Sequence, residues 1–308
     1  MNVGGAPWHQ ANWDWRAAGN FVFGGAGAGL LFIAAAVGVT PGVPAALRLS
    51  ALLLGLTGVG VGLLCVLLKI GRPLRALNVF LQPRRSWMSR EAFVALLLTP
   101  LTLFLVWRVW PVSTPEIVLS ALVAALALIY AYCQGRILSA AKGIPAWRAP
   151  SIVGLLVTTS WVEGASLWLL LCAALSAPVS MTFLWAWMAA LMARQLAAWQ
   201  YRGALRKDLA AGPARAVLRR GDAAFLGLAT ALPLAVGLAA SAGVPSLALA
   251  LAAVLALLGG SVFKHVLITR AGFNQGYALA HFPVRGQPRA HALGAAVGGT
   301  APRQEIRS

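Results

Sequence analysis

The sequence predicts an all-α integral membrane protein: a bundle of eight transmembrane helices with both termini on the same side. Three observations carry this. Hydrophobic residues make up 60% of the 308 and charged residues only 10%, with a mean hydropathy of +0.79, against about a quarter charged in soluble domains. The apolar residues fall in long uninterrupted runs, each near the ~20 residues that a helix needs to cross a bilayer core. They do not alternate as the strands of a closed barrel do, and a helix satisfies its own backbone in lipid. Finally, placing eight spans leaves Arg48 and Arg108 as the only two basic residues on one side, so 23 of the 25 Lys and Arg fall on the other.

Residues 1–19 form an interfacial segment in which Trp8, Trp13 and Trp15 sit among polar residues. Arg16 is the only basic residue before the first run and no clear cleavage site follows, so that run is expected to be a retained helix rather than a signal peptide. The transmembrane domain is expected over residues 20–268. Span 1, residues 20–39, carries Gly24, Gly25, Gly27 and Gly29, small residues that let helices approach closely. Span 2, residues 47–68, repeats the glycine habit and is closed by Gly71 and Pro73. Span 3, residues 89–107, contains Pro100, a potential kink. Spans 4, 5 and 6 follow over residues 116–138, 151–175 and 179–199. A basic loop is expected over residues 200–221, then span 7 (222–240), span 8 (247–268) and a polar, flexible tail over residues 269–308.

The net charge of +18 would suggest nucleic acid for a soluble protein. Here the positive-inside rule accounts for it and no nucleic-acid partner is expected; by that rule the basic face and both termini are cytoplasmic. Cys65, Cys133 and Cys172 all fall inside spans without a CxxC pair. The histidines are His9, His265, His281 and His291, with no pair at membrane depth to ligate a haem. The chain is therefore expected to bind no metal of its own.

Polar residues at unusual places mark the candidate sites. Lys69 to Glu91 lies between spans 2 and 3 and holds Lys69, Arg72, Arg75, Arg84, Arg85 and Arg90, six of the 25 basic residues, with one of only seven carboxylates at its end. In one reading these cations set topology and contact lipid headgroups. In the other, with Phe80, Leu81, Trp87 and Met88 interleaved, they form a docking surface or cradle an anionic group. Glu91 either complements the start of a helix capped by Ser89 or exchanges protons at the membrane edge. Glu163 lies midway along span 5, where a charge is costly; it marks either a proton path or a buried hydrogen bond that locks the packing, with Arg194 and Gln195 near the same cavity. Tyr130, Tyr132 and Arg136 near the basic end of span 4 suit either interfacial anchoring or hydrogen bonds to quinone carbonyls.

The run GRPLRALNVFLQPRRSWMSREAF, with Arg-Pro, Ser-Trp and Ser-Arg-Glu in order between two helices, resembles a loop of the membrane anchor subunits of the dimethyl sulfoxide reductase family, near the polysulfide and nitrite reductase anchors. The stretches YCQGRILSAAKGIPAWRAP and ITRAGFNQGYAL fit the same picture. The resemblance implies an anchor of a molybdopterin oxidoreductase complex in anaerobic respiration, in the bacterial inner membrane. Its substrate would be menaquinone or ubiquinone. Its partners would be a four-cluster ferredoxin-like iron–sulfur subunit and a molybdopterin catalytic subunit. Glu91 matches the carboxylate that the family uses for quinol binding. Lys69, Arg72, Arg75, Tyr130, Arg136 and Glu163 are further candidates for quinone binding or proton transfer, and Arg84, Arg85, Trp87 and Arg90 for subunit docking. Two positions depart from the family: Lys69 stands where dimethyl sulfoxide reductase anchors carry His, and span 1 has the polar Asn20 but no His. A transporter, or a structural tether without a quinone site, are the rival readings.

Overall fold

A computed structural model describes residues 7–70, 77–110, 116–240 and 246–275. Eight long helical runs follow one another: α1 (Trp15–Val37), α2 (Ala45–Ile70), α3 (Trp87–Val109), α4 (Ile117–Ser139), α5 (Ile152–Ala174), α6 (Met181–Lys207), α7 (Leu209–Ala240) and α8 (Ser246–Thr269). All but α6 are long and apolar enough to cross a membrane, making seven among the described residues. A helix of 23 residues such as α3 is about 35 Å long, enough for a hydrocarbon core of about 30 Å. α6 is as long but more polar, with Arg194, Gln195, Gln200 and Arg202 in its second half.

The ends of the helices follow from local chemistry. Asp14 caps α1 by accepting from the Arg16 N–H at 3.0 Å, and Ser180 caps α6 by accepting from Phe183 N–H at 3.2 Å. The cap of α3 is Ser86, which accepts from Ser89 N–H at 3.3 Å, and not Ser89 itself. Glu91 therefore sits in the second turn, buried, rather than at the positive end of the helix. Helix structure also covers most of the basic stretch expected as a loop over residues 200–221. α6 continues to Lys207 and α7 begins at Leu209, so the break reduces to Asp208, which caps the next turn through Ala210 N–H at 3.0 Å. Ala, Leu and Arg are strong helix formers, and charge alone does not end a helix. Pro213 sits at the start of its helical segment, where it is tolerated.

α1 lies at the centre, against α2, α4 and α5 and touching α8, while α3 covers α2 and α4, and α6 and α7 cover α5 and α8. Its glycines make this possible. A Cβ on Gly29 would strike the Ser160 carbonyl, and one on Gly164 would strike the Gly29 carbonyl, so α1 and α5 meet backbone to backbone. On the α2 side, Gly19 faces Cys65 and Gly27 faces Gly55, which makes that pair antiparallel.

The burial pattern departs from that of a soluble protein. Leu96, Leu97, Leu103 and Phe104 of α3 are exposed, whereas Asn20, Glu91, Gln134, Thr159, Ser160, Glu163, Arg194 and Lys264 are buried. Large apolar side chains outside and paired polar groups inside fit a multi-pass helical membrane protein.

One end of the bundle is clasped. Gln10 N–H donates to the Gly272 carbonyl at 2.8 Å and Asn274 N–H to the Trp8 carbonyl at 3.1 Å. The Gln10 amide donates to the Ile268 carbonyl at 3.2 Å, and Trp147 Nε1 to that of Leu267 at 3.0 Å. Arg148 joins the α4–α5 connection to Asp208 at 3.0 Å. The segments before α1 and after α8 thus meet at the end that also holds the α4–α5 and α6–α7 connections.

The α1–α5 contact generates a prediction. Gly29→Ala and Gly164→Ala should each destabilise the bundle by about 1–3 kcal/mol through overpacking. Gly60→Ala and Gly154→Ala, whose Cβ atoms would meet nothing within 4 Å, should be neutral or slightly stabilising. Thermal unfolding in detergent distinguishes the two classes.

Candidate functional site

Polar side chains buried between apolar helices form a thread through the bundle. Its first cluster draws on α1, α3 and α4. Asn20 Nδ2 donates to Glu91 Oε1 at 3.1 Å. The Tyr130 hydroxyl donates to Asn20 Oδ1 at 3.3 Å, and Gln134 Nε2 donates to the Asn20 carbonyl at 2.9 Å. Tyr130 and Gln134 also lie within reach of the Glu91 carboxyl. The carbonyl that Gln134 uses belongs to a π-helical turn, Asn20–Gly24, that interrupts α1. Such a turn departs from the regular helical ladder, and here one of its carbonyls accepts from another helix.

The second cluster joins α5 and α8. Glu163 Oε2 and Lys264 Nζ form an ion pair at 2.5 Å, with side chains 0% and 1% exposed. Lys264 Nζ also donates to Ser160 Oγ at 3.2 Å, and Ser261 Oγ donates to Glu163 Oε1 at 3.4 Å. The two clusters converge on α1. The space a Cβ on Gly24 would occupy is bounded by Gln134 Nε2, the Tyr130 hydroxyl and Asn20 Oδ1; that of Gly25 by Lys264 Nζ, Ser160 Oγ and Gln134 Oε1. Two adjacent glycines thus bring a carboxylate, a phenol, an amide, an ammonium and a second carboxylate into one chain of neighbours.

A second buried cation extends the thread. Arg194 of α6 donates from Nη1 to the Ala256 carbonyl at 2.9 Å and from Nη2 to the Ala229 carbonyl and to Thr230 Oγ1. Ala229 lies in the second π-helical turn, Gly227–Ala231 in α7, so the same backbone device serves a second buried donor. The Phe225 ring lies 4.9 Å from the guanidinium carbon, and Arg194 is near enough to Glu163 for the two charges to attract.

The loop end of α3 is built differently. The Trp87 ring has the Arg90 guanidinium at 4.1 Å and that of Arg136 at 4.8 Å, and meets Tyr132 edge-on at 5.8 Å. Arg90 is fixed by donating to the carbonyls of Pro83 and Arg84, each at 2.9 Å. Arg84 and Arg85 are exposed. Arg90 precedes Glu91, so this cation–aromatic stack is adjacent in sequence to the first cluster.

The sequence-predicted candidates therefore separate. Glu91 and Tyr130 come together, and Glu163 is linked to them through Lys264 and Gln134. Lys69 stands apart: its ammonium donates to the Asn12 carbonyl and lies 3.7 Å from Asp14, holding the segment before α1. Arg136 joins Trp87 rather than the carboxylates. Arg72 and Arg75 lie outside the described residues. Sequence reasoning missed Gln134 and Lys264. Lys264 is the last charge in an otherwise apolar run, and a lone intramembrane carboxylate calls for a basic partner; pairing those two would have found it. Gln134 carried no comparable signal. No group of three or more His, Cys, Asp or Glu among the described residues is arranged to hold a metal ion.

Removing one partner of a buried ion pair strands the other charge. Glu163→Gln and Lys264→Met should each cost about 3–5 kcal/mol, and the double variant should recover most of that loss. Thermal unfolding of the three purified variants measures this directly.

No protein-family model matches the chain, and no curated protein matches it either.

Proposed function

We propose that the chain is the quinone-reactive membrane anchor of a molybdopterin oxidoreductase complex. The observation that carries this reading is the buried Glu91 carboxyl, held by Asn20 and faced by Tyr130 and Gln134, beside a loop rich in exposed arginine. A quinol offers two hydroxyl groups, and its oxidation releases two protons and two electrons. A carboxylate accepts such a proton, while amide and phenol groups orient the ring oxygens by hydrogen bonding. The electrons leave for the iron–sulfur partner, which docks on Arg84, Arg85, Arg90 and Trp87. One proton passes to Glu91, and the second follows after Glu91 has released the first toward the loop face. Quinone reduction runs the same steps in reverse.

In this proposal all eight long helices cross the bilayer, α6 included. Phe183 near its start rests on Trp168 at 6.0 Å, late in α5, and Tyr201 near its end donates to the Ala146 carbonyl before α5 begins. α6 thus covers the length of an accepted span, and Arg194 tolerates depth because carbonyls surround it. The clasped end holds Lys69 and Arg148, and the positive-inside rule favours the cytoplasm for it, in a bacterial inner membrane.

A transporter is the second reading, favoured by the Glu163–Lys264 pair, since paired intramembrane charges also mark ion paths. One experiment separates the readings. The chain is purified from its native membrane in mild detergent, its metals are measured, and a quinol analogue is titrated. Co-purifying iron and molybdenum, with analogue binding weakened roughly tenfold or more by Glu91→Gln, is the expected result. A metal-free chain that is folded and binds no analogue would overturn the proposal and leave the transporter. Metals without analogue binding would reduce the chain to a tether.

A further inference from the structure

A groove of about 800 Å³ runs along α8 between α5, α6 and α7, away from Glu91. Its mouth is lined by Arg202, Arg206, Arg215, Arg219, Arg220 and Arg270. Among the described residues Asp222 is the only carboxylate on its lining, and it is taken by Arg202 at 2.9 Å. The other five arginines have no carboxylate at ion-pair distance among the described residues. Deeper in, the walls become apolar: Leu155, Phe225, Leu258, Val262 and Phe263. The lining extends from Arg270 back to Leu255, 15 residues apart and so about 22 Å along the helix axis.

We propose that this groove binds an anionic phospholipid of the surrounding membrane, its phosphate headgroup among the arginines and an acyl chain along the apolar wall. The shape and the charge order fit that ligand: cations at the membrane end, then a hydrocarbon-lined trough reaching toward mid-bundle. Guanidinium groups bind phosphate oxygens through paired N–H donors. The volume is that of a small-molecule site. An uncharged quinone leaves the five cations unpaired. The chain's own residues 276–308 carry four arginines and one glutamate, so they add positive charge and do not complement the mouth. The groove draws on different residues from the proposed quinone site and stands independently of it.

Native mass spectrometry of the full chain tests this, after equilibration in detergent with equal phosphatidylglycerol and phosphatidylcholine. The expected result is one retained phosphatidylglycerol, preferred roughly tenfold, lost in Arg215→Gln/Arg219→Gln/Arg220→Gln but kept in Arg84→Gln/Arg85→Gln. The corresponding triple Arg→Lys variant keeps the charge and should retain lipid with reduced preference. It serves as the test should the neutral variant fail to fold. Equal retention of the two lipids, or a preference unchanged in every groove variant, would overturn the proposal. So would displacement by millimolar inorganic phosphate, which assigns the arginines to free phosphate, or a lipid-free dimer, which assigns the groove to a second copy.

Discussion

A side chain at Gly25 would have nowhere to go. The ammonium of Lys264, the hydroxyl of Ser160 and the amide of Gln134 already surround the place where its first carbon would sit. The rest of the bundle depends on this close approach. In lipid no water compensates a buried amide or ammonium, so each must find a partner within the protein. The glycines of α1 let the neighbouring helices come near enough to offer one. The same face therefore does two jobs: it supplies backbone-to-backbone packing against α5, and it leaves room for a polar thread that larger residues would cut.

The two π-helical turns solve a related problem. In a regular helix most carbonyls already accept from the helix's own N–H groups, so a buried donor from another helix finds fewer open ones. At Asn20–Gly24 the widened turn serves Gln134, and at Gly227–Ala231 it serves Arg194. Arg194 thereby keeps its charge inside the bundle with carbonyls, one hydroxyl and an aromatic face around it, and needs no carboxylate in direct contact. α6 can then carry that charge although its composition is the most polar of the long helices.

Much of the architecture was legible because hydropathy and glycine spacing are local signals. The runs behind α1 to α5 and α8 could be drawn from composition alone, as could the exposed arginines of the loop before α3. Three features were not legible. The helical stretch from Gln200 to Gly221 reads as a loop because charge masks strong helix propensity. Ser86 rather than Ser89 caps α3, a choice between two serines that only backbone geometry decides. The union of Glu91 with Asn20, Tyr130 and Gln134 joins residues up to 114 positions apart; no spacing rule links them, since the contact depends on how α1, α3 and α4 pack. Lys69 shows the converse. Its place beside the loop suggested chemistry, yet its ammonium ties down the segment before α1.

The central position of α1 bears on how the chain is assembled. α1 is made before the helices that pair with it, so Asn20 and the glycine face start without their partners. Tyr130 and Gln134 arrive with α4, Ser160 and Glu163 with α5, and Lys264 only with α8. Trp8 and Gln10 likewise wait for Gly272 and Asn274 to close the clasp. α1 is thus fully paired only when α8 is in place, and Glu163 stays without its cation until then. A chain built this way cannot complete the polar thread around its central helix until α8 docks.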